Sequence, residues 1–175
     1  MADASVRPAR AADVADIVRI QIDTWRAAYT DFLPTEALDS VTPELATAQW
    51  AAAVDAAPSP QHRVLVAQER DSVVGFAAAE PDPDDPGSQV IAVMLVEPRW
   101  GRRGHGSRLL AAVADLARQD GIQRLTAWVF ERDRASVAFY ESAGWSRDGW
   151  IRTLDAADTP VREVRLHTAL TEEAA

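Results

Sequence analysis

From Asp13 to Tyr29 the apolar side chains Val14, Ile17, Val18, Ile22, Trp25, Ala28 and Tyr29 return at the 3.6-residue rhythm of an amphipathic helix, with Asp13 placed to cap its start. Phe32, Leu33 and Pro34 break the rhythm. Thr42-Pro43 precedes a second helical stretch over 44–53, and Pro58 and Pro60 end the helical region. A short strand is expected over Ser5–Arg7. The runs 63–68 and 73–79 are rich in β-forming residues and flank Glu-Arg-Asp-Ser, which reads as a hairpin. Pro81 to Gly87 can be little except an exposed loop. The next run, Gln89–Val96, is apolar on both faces, as a central strand would be.

The second half alternates the two periods. A helix is expected over 104–119, with Leu109, Leu110, Val113, Leu116 and Ala117 inward and Gly121 at its C-terminal cap. A strand (123–130), a helix (135–143) and two strands (near 150–154 and 161–170) follow. Seven strand candidates and the helices between them fit one mixed α/β sheet, without an internal repeat or a linker that would divide it. At 175 residues the chain suits a single domain spanning 1–175.

Composition removes several classes of function. With 47% hydrophobic and 26% charged residues the chain resembles an ordinary globular protein. Its longest strongly apolar run, Val90–Val96, is far too short to cross a membrane as a helix. The opening Met1-Ala-Asp-Ala-Ser has neither a basic head nor an apolar stretch, so a cytoplasmic protein is expected. A net charge of −9 opposes binding to nucleic acid or an anionic membrane. There is no cysteine, which excludes a covalent thioester route and thiolate metal sites. All 18 basic residues are arginine, so no Lys Schiff base or phosphate-loop Lys exists. No His/Asp/Glu set has metal-ligand spacing, and none is expected to bind a metal.

Against that acidic background, Arg99-Trp-Gly-Arg102-Arg103-Gly104-His105-Gly106-Ser107-Arg108 holds four arginines and no acid. The segment joins an apolar strand to a helix. Gly104 and Gly106 would let backbone N–H groups converge at the helix N-terminus, where the partial positive charge also favours an anion. Backbone donors with flanking arginines suit a diphosphate. A dinucleotide fingerprint would require glycine where Leu109 stands, and a triphosphate loop would require Lys.

Two motifs here resemble the GNAT superfamily of acetyl-CoA-dependent N-acyltransferases. One is the strand and turn Val96-Glu-Pro-Arg-Trp-Gly-Arg-Arg-Gly104-His-Gly106-Ser-Arg-Leu-Leu110. The other is Asp133-Arg-Ala-Ser136-Val-Ala-Phe139-Tyr140-Glu-Ser-Ala-Gly144-Trp145. The leading helix with Trp25 and Tyr29 and the closing Glu163-Val-Arg-Leu166 also fit. Three positions depart from the pattern: Gly101 stands at the family's Gln/Arg, Asp133 at its usual Asn, and Val90 at a Glu often found early in the fourth strand.

The resemblance implies a mostly antiparallel seven-stranded sheet with helices on both faces and acetyl-CoA as acyl donor. It implies that main-chain groups of Met94, Leu95 and Val96 pair with the donor's amide-rich arm. Arg102, Arg103, Gly104, His105, Gly106 and Ser107 would surround the diphosphate, with Asp133 and Ser136 nearby. Tyr140 would protonate the departing thiolate; the alternative reading is a core side chain with a wet hydroxyl. With no cysteine to carry the acyl group, an amine must attack the thioester directly. Glu80, Glu97 and Glu131 are candidates to take its proton, and His105, inside the turn, is not. Trp25 and Tyr29 read either as core packing or as a flat wall of the acceptor site, which the loops around Glu80 and Trp150 would complete. The acceptor is expected to be a primary amine on a small molecule or peptide. A homodimer is allowed, and a non-catalytic acyl-CoA sensor is the alternative function.

Overall fold

In the computed structural model, residues 3–170 are described. Met1 and Ala2 of the leader reading, and both ends of the 1–175 domain reading, lie outside them. Seven strands form one sheet: β1 (Ala4–Pro8), β2 (Arg63–Glu69), β3 (Ser72–Pro81), β4 (Ser88–Val96), β5 (Arg124–Phe130), β6 (Ser146–Ala156) and β7 (Thr159–Ala169). Their order is β1-β2-β3-β4-β5-β7-β6. Every pairing is antiparallel except β4 with β5. The helices are α1 (Val14–Ala28), α2 (Thr35–Asp39), α3 (Pro43–Asp55), α4 (His105–Gln119) and α5 (Arg134–Ser142).

Strand alternation divides the core between the two faces. On one, Leu109, Val113 and Ala117 of α4 bury against Leu65, Ala67, Val74, Ala77 and Leu125. On the other, Ile17 and Ile20 of α1 and Trp50 of α3 pack on Val66 and Phe76. Trp50 meets Phe76 edge-on at 5.0 Å between centroids, and its Nε1–H donates to Gln21 Oε1 at 2.7 Å, so the buried indole is not left unpaired.

Two local expectations are corrected. Asp13 occupies the N-cap position of α1, but its carboxylate does not cap that helix. It turns back to accept from the Arg10 N–H (2.7 Å) and from both terminal nitrogens of Arg7 (2.7 and 2.9 Å), because a bidentate guanidinium outcompetes a neutral amide. The five-residue helix α2, directly after Pro34, is too short to leave a periodic signal. Thr42 does cap α3, its Oγ1 accepting from the Leu45 N–H at 3.2 Å.

The Asp13 arrangement gives a pH prediction. The hydrogen bond from Arg7 holds the Asp13 carboxyl below its ordinary value, against an opposing contribution from burial. A carboxyl lowered on folding stabilises the fold fully above its unfolded value near 4, and that contribution is lost as pH falls through the lower folded value. Asp13→Asn should therefore reduce thermal stability at pH 7 by about 1–3 kcal/mol. The difference from wild type should close below about pH 4. Thermal denaturation of both proteins across pH 3–7 measures it.

Candidate active site

The site originates in the single parallel pairing. β4 and β5 are in register only over Ser88–Ile91 with Arg124–Ala127, and beyond Ile91 the two strands separate. Which groups face the gap follows from the other edge of β4. The Glu97 N–H donates to Val74 O at 2.9 Å, so antiparallel alternation turns Leu95 toward β3 and leaves the main-chain N–H and C=O of Met94 and Val96 facing the gap. The expectation for Met94, Leu95 and Val96 as one edge is corrected at Leu95, whose carbonyl belongs to the β3 side. The strands approach so closely there that a Cβ on Gly75 would lie 2.8 Å from Leu95 O.

The gap opens into a recess on each face of the sheet. On the α4 face a groove of about 510 Å³ is lined by Met94, Val96, the turn before α4, and Ala135, Ser136, Phe139 and Tyr140 of α5. On the α1 face a cavity of about 280 Å³ is lined by Trp25 and Tyr29, β4, Trp128 to Phe130, Asp133, Ser136, Tyr140, Leu154 and Glu163. Met94, Ser136 and Tyr140 border both. Tyr140 therefore stands where two recesses from opposite faces meet.

The turn gathers backbone donors at the start of α4. Arg102 (φ 63°) and Gly104 (φ 83°) both take left-handed backbone, which curls successive N–H groups inward; only Gly104 does so without a Cβ penalty. No side chain caps α4, and its first intrahelical bond is Arg108 N–H to Gly104 O, so the N–H groups of His105, Gly106 and Ser107 have no helical acceptor. Arg108 braces the loop by donating to Arg103 O at 3.1 Å. These donors, with Arg102 beside them and no acid in the first turn, fit a diphosphate.

Arg103 does not point where the sequence reading put it. The Arg103 guanidinium lies over the Trp100 ring, 4.9 Å from its centroid, and 3.9 Å from Glu69. That stacking draws it off the groove. His105 is 1% exposed, with Nε2 2.8 Å from Glu69 Oε2 but off the hydrogen-bonding axis. Its ring packs edge-on against Trp100 at 6.3 Å between centroids, and the residue lines the groove.

Tyr140 is packed against Trp145 (4.8 Å between centroids) and Phe139 (5.5 Å), and burial pushes its phenol well above the ordinary value. Among the described residues its hydroxyl has no hydrogen-bond partner. Asp133 sits on the cavity side rather than at the turn: it caps α5, accepting from Ser136 N–H (3.1 Å) and Ser136 Oγ–H (2.6 Å). Those bonds also occupy the Ser136 hydroxyl.

Trp25 and Tyr29 both line the cavity, their rings 6.2 Å apart, while Tyr29 also packs on Phe130 and Phe32. Wall and core packing are thus combined in one pair. Burial, and then the nearby charges of Asp133 and Glu163, push the Tyr29 phenol upward.

Glu80 is misplaced in the sequence reading. It is exposed and lies opposite Val90, where β4 and β5 are still joined, outside both recesses. Glu97 is held by Arg19 (3.0 Å) and Arg99 (2.8 Å), and Glu131 faces Arg162 at 3.3 Å. Glu163 on β7 does reach the cavity, with Asp133, and is buried and ion-paired with Arg152. Among the described residues no cluster of three or more His, Asp or Glu is arranged to hold a metal, and no helix is long and apolar enough to cross a membrane.

A sheet that parts beside a glycine-bearing turn, with a phenol at the junction, is the architecture of acyl transferases that act from a nucleotide thioester. The chain belongs to the Acetyltransferase (GNAT) family, whose model matches residues 17–145. It is 31% identical over 142 residues to the N-acetyltransferase YuaI of Bacillus subtilis strain 168, covering 79% of this chain and 78% of that one. A mycothiol acetyltransferase of Kineococcus radiotolerans is 35% identical over 83 residues, 47% of this chain and 26% of that protein. The fold matches the PaiA N-acetyltransferase of Thermoplasma acidophilum, solved with coenzyme A, at a TM-score of 0.75 and 12% identity over 95% of this chain and 98% of that one. It also matches yncA of Salmonella typhimurium, solved with acetyl-CoA, at 0.73 and 20% over 99% and 97%.

Proposed function

We propose that this acetyltransferase moves the acetyl group of acetyl-CoA directly to a primary amine. The observation that carries the reading is the meeting of the groove and the cavity at Tyr140. The groove, with its anion-binding turn at one end and the free main-chain groups of Met94 and Val96 along its wall, suits a donor that carries phosphates, amides and a thioester in that order. The cavity on the opposite face suits the acceptor.

Bound donor supplies an activated acyl carbon with a thiolate leaving group. In the transfer, the amine nitrogen attacks the thioester carbonyl, the C–S bond breaks and the Tyr140 O–H gives its proton to the sulfur, while the proton lost by the amine passes to solvent water, from which Tyr140 regains one. Burial raises the phenol, and burial of a thiolate at the same place raises the thiol likewise, so donor and acceptor of that proton remain matched. Glu163 stands on the acceptor side, where an ammonium would arrive.

Titration calorimetry with CoA, followed by thiol release with acetyl-CoA and a panel of amines, tests the reading. Arg102→Ala should weaken CoA binding by about tenfold, the loss of one charge-assisted phosphate contact. Arg103→Ala should weaken it less, because that guanidinium already rests on Trp100. Unchanged affinity in both would remove the diphosphate from this turn. Tight CoA binding with no thiol release from any amine would favour the acyl-CoA sensor instead.

A further inference from the structure

The charges lining the acceptor cavity are all of one sign. Its lining residues include two carboxylates, Asp133 and Glu163, and no arginine or histidine. Glu163 is neutralised by Arg152, whose guanidinium lies 4.4 Å from the Trp128 centroid, and the neighbouring Arg165 is bound to Asp148 at 2.6 Å. Asp133 differs: the amide and hydroxyl of Ser136 and the nearby Tyr29 hydroxyl that surround it are all neutral, and among the described residues it has no ion-pair partner. The walls are aromatic, formed by Trp25, Tyr29, Trp128 and Phe130. The cavity measures about 280 Å³.

Resting on the transfer reading above, we propose that the acceptor is an arylalkyl amine without an α-carboxylate, and that Asp133 is the residue selecting it. An organic ammonium is favoured by a carboxylate, and an aryl group by the aromatic faces around it. A carboxylate on the carbon bearing the amine would enter the same space. There it would face Asp133, with Arg152 and Arg165 already committed to Glu163 and Asp148, and like charges held close in a partly dry site are strongly disfavoured. Free α-amino acids are thereby rejected although their amino groups are chemically equivalent nucleophiles.

Asp133→Asn isolates the charge, because asparagine is an equally good N-cap and preserves the bond from the Ser136 N–H. The experiment compares initial rates at saturating acetyl-CoA for two matched pairs, 2-phenylethylamine with phenylalanine and tryptamine with tryptophan, and for putrescine. In the wild type each amine should exceed its amino acid in kcat/KM by about 100-fold. Asp133→Asn should shrink that ratio about tenfold, chiefly by raising KM for the amines, with CoA affinity and melting temperature unchanged.

Equal or faster turnover of the amino acids overturns the inference and leaves the transfer reading intact. An unchanged ratio in Asp133→Asn removes Asp133 from selection. Putrescine outperforming both aromatic amines overturns the arylalkyl assignment. If acetyl-CoA binds but no amine is acetylated, the inference and the transfer reading fall together.

Discussion

Tyr140→Phe should lower kcat by about 100-fold, near the small end of the range for general-acid catalysis because a thiolate is already a fair leaving group. Affinity for CoA should stay within about twofold, since the substitution removes one oxygen and leaves the ring on Trp145 and Phe139. The melting temperature should also hold, because that hydroxyl bonds to nothing else in the described protein. Pre-steady-state thiol release and CoA titration on the same preparation separate these quantities. A parallel fall in affinity and turnover would make Tyr140 a wall of the groove rather than a proton donor. With Phe in place, an alkaline limb of the pH–rate profile that persists unaltered would assign that limb to the acceptor amine.

The second large effect is expected at a residue that touches neither recess. Gly75→Ala places a methyl group 2.8 Å from the carbonyl oxygen of Leu95 and 3.1 Å from Val96 Cγ2. The obstacle is backbone, so neither a rotamer change nor a small side-chain shift relieves it. Overpacking of this kind destabilises by about 1–3 kcal/mol. At roughly 2–4 °C per kcal/mol for a chain of this size, the melting temperature should drop by several degrees. Because Leu95 and Val96 belong to the strand whose opposite edge borders the gap, CoA affinity should fall as well. Calorimetry and CoA titration measure the two losses, and a variant that keeps both would show that β3 and β4 can move apart without consequence.

Much of this fold was legible because its long elements repeat with clean periods. Val14 through Tyr29, Leu109 through Ala117 and the doubly apolar Gln89–Val96 each follow one template over several turns or pleats. The turn at Arg102–Ser107 was legible for a different reason: arginines and glycines without an acid are conspicuous in a chain of net charge −9. What local pattern could not supply was register. Glu80 and Glu163 are both acids in strands, yet the pairing of Glu80 with Val90 sets it at the closed end of the β4–β5 seam, whereas Glu163 lies opposite Phe130 at the open end. One signal for Glu163 did exist, an acid between Val161 and Val164 on a strand with buried residues on both faces, but it becomes readable only once the register is known. Arg103 was misread because its partners, Trp100 and the distant Glu69, are chosen by tertiary packing. Asp133 was read through a family's asparagine, and its work as a helix cap and as an unpaired charge follows from what stands around it.

If the parted strands admit one reactant from each face of the sheet, as proposed, the two would not share a doorway. Substitutions that reshape the chamber under α1 would then leave the opposite wall untouched, and a scaffold of this kind could exchange one acceptor for another while keeping its grip on the acyl carrier. Only Met94, Ser136 and Tyr140 answer to both sides, and these three are where such drift is most constrained.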